Sequence, residues 1–374
     1  MQPRLRLGMV GGGRGAFIGP VHRMAATLDG EAEFVAGCLS STPERAIESG
    51  REAGLKSVYG TWEEMVERER ALPAGERIDA AVIVTPNHLH ATVAAAFAKA
   101  GINVVCDKPL TRTLAEAEEL EREVSRTGVV FCVTYNYTGY PLVRAMREMV
   151  RGGQLGAVRR VAVEYYQGWL ATNLAAEGQK QAAWRADPAL AGAGALGDIG
   201  THAENLMSFV TGLEVESLCA DVRSAVAGRT VDDDASVLLR FRGGARGVLT
   251  ASQVCVGEEN GLAIRVYGER GSVAWRQENP NELRVSAEGE ATRVLTRAGA
   301  GGPAGMGTRL PSGHPEGFIE AFANVYRWAF GAIRARREGK TAAGEQSHPT
   351  IVDGVRGVRF VERCLASKGA WVDW

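Results

Sequence analysis

Leu5-Arg6-Leu7-Gly8-Met9-Val10-Gly11-Gly12-Gly13-Arg14-Gly15-Ala16 is the stretch on which the reading of this chain turns. A short apolar run stops at three glycines, and residues 21–28 follow with a helical pattern. A strand that ends in Gly-x-Gly-x-x-Gly/Ala and hands over to a helix fits a dinucleotide-binding turn. Glycine permits the tight turn and a close backbone approach, and the first N–H groups of the helix are left for a pyrophosphate. Any glycine-rich turn can match the pattern; its place directly after the first strand gives it weight. Gly11, Gly13, Arg14, Gly15 and Ala16 are candidate cofactor contacts, and Phe17 and Ile18 lead the loop on to Gly19. Either Ala16 or Gly19 fills the third glycine role.

Outward from the loop, strand and helix alternate. Residues 33–39 read as a strand, and Thr42-Pro43 opens a helix with Thr as N-cap and Pro in the first turn. Residues 80–84 are continuously apolar, as a parallel strand buried on both faces requires. Residues 88–100 are helical and stop at Gly101; 103–106 is a strand; Thr113-x-x-Glu116 is a capping box; 129–133 is the next strand. Repeated units of this kind predict a doubly wound parallel sheet that binds its ligand at the carboxyl ends of its strands. After about residue 155 the texture changes. Residues 159–167, 216–223, 235–242, 246–253, 262–267 and 272–275 read as closely spaced strands, and 203–211, 316–336 and 350–366 as helices. The expectation is α/β: an N-terminal Rossmann domain over 1–137, and an α+β domain with a large, open, mostly antiparallel sheet over 138–374. The last helix is expected to pack back on the first domain. Residues 298–307 read as a mobile loop rich in Gly, Ala and Pro.

The 374 residues exceed one ordinary domain, and 45% apolar with 23% charged is a globular composition. A net charge of -1 gives no electrostatic reason to expect nucleic acid or an anionic membrane as partner. No apolar run reaches the roughly 20 residues needed to span a bilayer. No signal-peptide pattern is present. The six cysteines form no Cys-x-x-Cys pair and read as reduced thiols of a cytoplasmic protein, with no metal site.

Three strand-end segments carry chemistry. Thr85-Pro86-Asn87-His88-Leu89-His90 offers hydrogen bonds at a carboxyl-end loop, or is simply a capped helix start. Cys106-Asp107-Lys108-Pro109 places a lysine where it can donate to a substrate hydroxyl and balance a developing alkoxide. Gly197-Asp198-Ile199-Gly200-Thr201-His202, if helical, sets Asp198 and His202 on one face. Near a helix N-terminus the dipole disfavours imidazolium, so a neutral His202 can act as general base. Asp198 then orients the cluster or offsets the charge of Lys108. The second strand ends in Ser40-Ser41-Thr42 in place of the usual ribose-binding carboxylate, and Arg45 either meets a 2′-phosphate or is solvated. These residues leave NAD and NADP both open.

In this order, the glycine loop, Thr-Pro-Asn-x-x-His, Asp-Lys-Pro and Gly-Asp-Ile-Gly-x-His resemble the glucose–fructose oxidoreductase / inositol dehydrogenase / rhizopine-catabolism (Gfo/Idh/MocA) family over nearly the whole chain. The family usually has Glu-Lys-Pro where this chain has Asp107. The resemblance implies a catalytic Lys108, Asp198 and His202, and a hydride passed to nicotinamide C4. It places Thr85, Pro86, Asn87, His90, Asp107, Lys108 and Asn136 near the cofactor, and it implies a homodimer or homotetramer. The segments at 15–23, 183–188 and 314–322 are similar to the levoglucosan dehydrogenase-type pyranoside 3-dehydrogenases, which favours NAD.

Substrate contacts follow from what a sugar needs, namely many hydrogen bonds and a stacking face. Tyr135, Gln167, Trp184, Arg185 and His314 are the candidates, beside Lys108, Asp198 and His202. The expected activity is NAD(P)-dependent oxidation of a secondary hydroxyl of a sugar, anhydrosugar or polyol, possible targets including C3 of a pyranoside such as levoglucosan. The alternatives are an inositol dehydrogenase, a retained-NAD glycosidase or lyase, and a non-catalytic dinucleotide-sensing regulator.

Overall fold

The computed structural model describes residues 3–172, 192–300, 305, 307–311, 313–340 and 348–374. Its contacts divide the chain into two units, Met1–Tyr135 with Phe322–Val355 and Asn136–Ala321 with Arg356–Trp374.

In the first unit the strands are β1 (Leu5–Gly11), β2 (Ala32–Cys38), β3 (Ser57–Val58), β4 (Ala80–Val84), β5 (Asn103–Cys106) and β6 (Phe131–Val133). They pair in the order β3-β2-β1-β4-β5-β6, all parallel. Every residue of β4 is buried, which is why its sequence is unbroken Ala, Val and Ile. The helices are α1 (Ile18–Thr27), α2 (Pro43–Glu52), α3 (Trp62–Ala71), α4 (Asn87–Lys99) and α5 (Leu114–Thr127). At α5 both capping-box bonds form: Thr113 Oγ1 accepts from the Glu116 N–H, and the Glu116 carboxylate accepts from the Thr113 N–H. Such a cap is worth about 1 kcal/mol. Thr42 does occupy the N-cap position of α2, but its side chain makes no capping bond; its own N–H goes to Ser40 Oγ.

The second unit begins with a 3-10 turn (Asn136–Gly139) and α6 (Pro141–Arg151). Strands β7 (Val158–Tyr166), β8 (Val215–Arg223), β9 (Asp234–Phe241), β10 (Arg246–Ser252), β11 (Gly261–Gly268), β12 (Gly271–Arg276), β13 (Glu282–Ala287), β14 (Arg293–Thr296) and β15 (Trp371–Asp373) form one sheet. Its order is β14-β13-β12-β11-β7-β10-β9-β8-β15, antiparallel except where β7 meets β10. A π-helical turn, Leu196–Gly200, runs into α7 (Thr201–Thr211). Buried residues of α6, α7 and one sheet face make a single core, among them Met146, Leu206, Leu249, Ile264 and Trp275. Two long helices, α8 (Phe318–Arg337) and α9 (Ile351–Ser367), each contribute to both units. A single helical turn, Arg297–Ala300, opens the stretch read from sequence as a loop.

Candidate active site

The glycine loop of the first unit has the form a pyrophosphate needs. Gly11, Gly12 and Gly15 hold φ of 83°, 71° and 78°, the left-handed region that favours glycine. A Cβ on Gly13 would stand 2.4 Å from the Leu39 carbonyl oxygen, where the loop crosses the end of β2. A Cβ on Gly19 would stand 2.1 Å from the Gly12 carbonyl oxygen. The third glycine role therefore belongs to Gly19, since Ala16 carries its methyl without difficulty. Helix α1 starts after Phe17 with no side chain capping it, so its first N–H groups are available to an anion. Phe17 is itself an exposed apolar side chain, and Ile18 is half-buried. Arg14 is tied to Glu48 and Glu52 of α2, while Ser41 and Arg45 are exposed and Ser40 half-buried beyond β2.

The other strand ends of this unit are tightly bonded. His90 is buried, with Nδ1 2.9 Å from the Pro109 carbonyl oxygen and Nε2 2.9 Å from that of Thr85. It braces the loop after β4 against the loop after β5. Asn87 is buried at the start of α4, and Pro86 is exposed beside it. Asp107 Oδ1 accepts from the Lys108 backbone N–H at 2.8 Å and from the Thr134 hydroxyl at 2.8 Å. Burial alone would raise the Asp107 pKa. The neighbouring His22, then the charges of Lys108 and His90, outweigh that and hold the carboxyl below the usual range. Lys108 is half-buried and its bond to Pro109 is cis. Tyr135 is fully buried.

In the second unit Asp198 lies in the π turn and His202 is the second residue of α7. Here the expected dipole argument fails. Helical backbone already runs from Ala195, and its N-terminus is occupied by Asp232, which accepts from the Gly194 and Leu196 N–H groups at 2.7 Å each. His202 is thus inside a capped helical run, not at a bare N-terminus. It is 6% exposed. Tyr137 packs edge-on against its ring at 4.7 Å, and Tyr165 lies at 6.3 Å.

Those two phenols belong to a closed ring of hydrogen bonds. Tyr165 donates to Asn260 Oδ1 at 2.6 Å, Asn260 Nδ2 donates to the Tyr137 hydroxyl at 3.2 Å, and Tyr137 then donates to Tyr165 at 2.5 Å. Burial raises the pKa of both tyrosines, so they keep their protons. Gln167 joins this ring to Asp198. Its Nε2 donates to Asn260 Oδ1 at 3.0 Å, and its Oε1 accepts from Trp169 Nε1 and from Gln253 Nε2. Gln253 Nε2 also donates to Asp198 Oδ2 at 2.9 Å.

Gln167 is among the residues that the sequence singles out, whereas Tyr165, Gln253 and Asn260 are not. Asn136 is buried in the 3-10 turn. His314 is exposed, with Nδ1 donating to the Pro311 carbonyl. Trp184 and Arg185 lie outside the described residues.

Residues 5–135 match the profile described as "Oxidoreductase family, NAD-binding Rossmann fold", and residues 143–274 match the "GFO/IDH/MocA C-terminal domain". The crystal structure of an oxidoreductase from Sinorhizobium meliloti is 50% identical, with TM-score 0.90, over 99% of this chain and 100% of that one. The chain belongs to the Gfo/Idh/MocA oxidoreductase family. Another similar family structure is an inositol dehydrogenase homolog from Azotobacter vinelandii, complexed with NADH and myo-inositol. It is 36% identical, with TM-score 0.92, over 99% of this chain and 98% of that one. The levoglucosan dehydrogenase of Pseudarthrobacter phenanthrenivorans is 28% identical over 99% of this chain and 98% of its own length. The matched NAD-binding domain thus contains the glycine loop described above.

Proposed function

We propose that this oxidoreductase oxidises a secondary hydroxyl of a ring-bearing polyol or sugar, with Lys108, Asp198 and His202 as its catalytic residues. Bound NAD supplies the hydride acceptor, at nicotinamide C4. The chain supplies the proton chemistry. His202 takes the hydroxyl proton, and Lys108 holds the oxygen and balances the charge that grows as the proton leaves. Asp198 orients this group and offsets the lysine charge. The observation that carries the reading is the hydrogen-bond chain ending on Asp198 beside an enclosed His202. A half-buried acid held by amides and a buried imidazole packed against protonated phenols form a polar site far richer than cofactor sensing requires.

The same proposal keeps Tyr135, Gln167, His314, Trp184 and Arg185 as substrate contacts. Gln167 enters it chiefly through its bonds, since both of its oxygen acceptor positions and one N–H are engaged within the chain. Phe17, Ser40, Ser41, Arg45, Thr85, Pro86, Asn87, His90 and Asn136 remain proposed cofactor contacts. The greater identity to the myo-inositol-bound homolog favours a cyclitol over an anhydrosugar such as levoglucosan. We further propose a cytoplasmic homodimer or homotetramer. Exposed Leu238 on β9 and Trp371 on β15 support an interface on the open sheet face.

The test is His202→Ala assayed with a panel of inositols, pyranosides and anhydrosugars against NAD and NADP. NADH binding should persist while turnover falls by about 10²–10⁴-fold. Unchanged turnover removes His202 from the role of base. Product without net NADH points to a retained-cofactor lyase or glycosidase. Binding of NADH without turnover of any panel member points to a sensor.

A further inference from the structure

His22 lies on α1, downstream of the glycine loop, and has no part in the chemistry proposed above. Its ring is completely buried. Nδ1 sits 2.6 Å from the Tyr326 hydroxyl of α8, and Phe322 packs edge-on at 4.8 Å. Nε2 makes no hydrogen bond among the described residues; it faces Asp107 Oδ1 across 3.9 Å.

The tautomer follows from this arrangement. A proton on Nδ1 would leave the Nε2 lone pair facing a carboxylate in a buried space, an unfavourable charge–dipole contact in low dielectric. Burial pushes the Tyr326 pKa well up, so that hydroxyl keeps its proton and donates it. Nδ1 therefore accepts, and Nε2 carries the hydrogen that points at Asp107.

Asp107 is itself hydrogen-bonded to the main chain of Lys108. The oxygen that His22 faces is the one that accepts the Lys108 N–H and the Thr134 hydroxyl. We infer that His22 is a positioning residue for Lys108: its Nε2–H, beyond hydrogen-bond length at 3.9 Å, attracts the Asp107 carboxylate electrostatically and favours the orientation that grips the Lys108 backbone, and so sets where the amine can reach. The inference rests on the role proposed above for Lys108. The remaining charged or titratable neighbours of the carboxylate and of Tyr326 are Lys108, His90, Cys132 and Cys106, the last a thiol that burial keeps protonated. None of them can replace His22. The His90 nitrogens are held by carbonyl oxygens, Cys132 is a neutral buried thiol, and Lys108 is the group being placed.

Three variants and a cycle test this. His22→Phe keeps a ring and removes both nitrogens; His22→Gln returns an N–H near the Nε2 position; Tyr326→Phe removes the donor that sets the tautomer. With the best panel substrate, H22F should lower kcat about tenfold while KM for NAD stays within about twofold, as expected for a misplaced catalytic group. H22Q should restore most of that loss. The double variant H22F/D107N should be no slower than the slower single variant, because both substitutions break one linkage. In the cofactor-free protein, 15N spectra of labelled histidine should show His22 as the Nε2–H form, and Y326F should shift it toward a mixture.

A folded H22F with wild-type kcat, an additive double variant, an H22Q no better than H22F, or an Nδ1–H signature each overturns the inference. If H22F does not fold, H22Q, Y326F and the histidine spectra decide by the same criteria, with unchanged kcat in Y326F and an Nδ1–H signal counting against it. Lys108→Ala separates the two readings. Persistent turnover in K108A defeats the catalytic proposal itself, whereas an inactive K108A beside an unimpaired H22F defeats only the role of His22.

Discussion

Gln253 donates to Asp198 Oδ2 at 2.9 Å and, from the same amide nitrogen, to Gln167 Oε1 at 3.1 Å. With Gln253 only 2% exposed, this amide fixes the carboxylate from the inside of the fold. Hydrogen bonds to charged groups contribute about 1.5–3 kcal/mol, so Gln253→Leu should cost that order in transition-state stabilisation, about ten- to hundredfold in kcat. Gln253→Glu sets a second carboxylate against the first. Like charge disfavours ionisation, so the acid limb of the kcat–pH profile should move to higher pH. An acid limb that stays in place in Q253E would separate Asp198 from catalysis.

The glycine loop makes an ordered prediction. Gly19→Ala and Gly13→Ala drive a methyl into backbone oxygens at 2.1 Å and 2.4 Å, and neither oxygen can step aside without moving the loop. Gly15→Ala meets nothing within 4 Å and carries only the strain of a φ of 78°. That strain is about 1–2 kcal/mol. NADH affinity, read by fluorescence titration, should fall most for G19A and G13A, by well over about tenfold, and least for G15A. Equal losses at all three positions would mean that the close approaches are not what shapes the loop.

Much of this architecture is legible along the chain because the signals are local. Continuous apolar residues announce β4, three glycines announce the phosphate turn, and Thr113 with Glu116 announces α5. The π turn is not legible, because the spacing from Asp198 to His202 reads the same in an α-helix. Helix α6 is hidden by Arg144 and Arg147, which look like surface residues but are buried, their guanidiniums over the Phe209 ring at 5.2 Å and 4.6 Å. The hydrogen-bond chain behind Asp198 is hidden for a different reason. Its members come together because β7 and β10 pair in parallel, with Tyr166 opposite Ser252, which brings Gln167 beside Gln253, and because β11 pairs antiparallel with β7, which brings Asn260 to them. No period in the sequence connects those positions.

Cofactor choice should follow the charges around Arg14. Its guanidinium is matched by Glu48 and Glu52, so it presents little net positive charge to a 2′-phosphate. Ser40 and Ser41 can instead bond ribose hydroxyls. NAD should be preferred over NADP by about tenfold or more in kcat/KM, and Glu48→Gln with Glu52→Gln should narrow that preference by releasing Arg14. Steady-state kinetics with both cofactors measure it; a preference that the double variant leaves untouched would shift the choice to Arg45 or to Ser40 and Ser41.

Asp232 couples stability to the active segment. Its two oxygens cap the Gly194 and Leu196 N–H groups, four and two residues before Asp198. Asp232→Asn keeps one acceptor and turns an NH₂ group toward the other N–H. A buried donor left unmatched costs about 1–3 kcal/mol, so the thermal midpoint should fall. Activity should fall further than the midpoint alone explains at an assay temperature where the variant is fully folded. A variant with a lowered midpoint and full kcat would make the cap structural only.

Asp107 supplies a pH signature of the first unit that needs no substrate. Its folded pKa is depressed despite burial, because His22, Lys108 and His90 favour the charged carboxylate. A depressed carboxyl contributes stability that is fully present above its unfolded value of about 3.9 and is lost as pH falls through the lower folded value. Asp107→Asn cannot make that contribution at any pH. Urea midpoints of the native chain and D107N should therefore differ near neutral pH, begin to draw together below about pH 4, where the unfolded carboxyl is protonated, and converge only as pH falls through the depressed folded value. Parallel pH profiles would show that the carboxylate gains nothing from its neighbours on folding. They would also weaken the grip that Asp107 is argued to exert on Lys108.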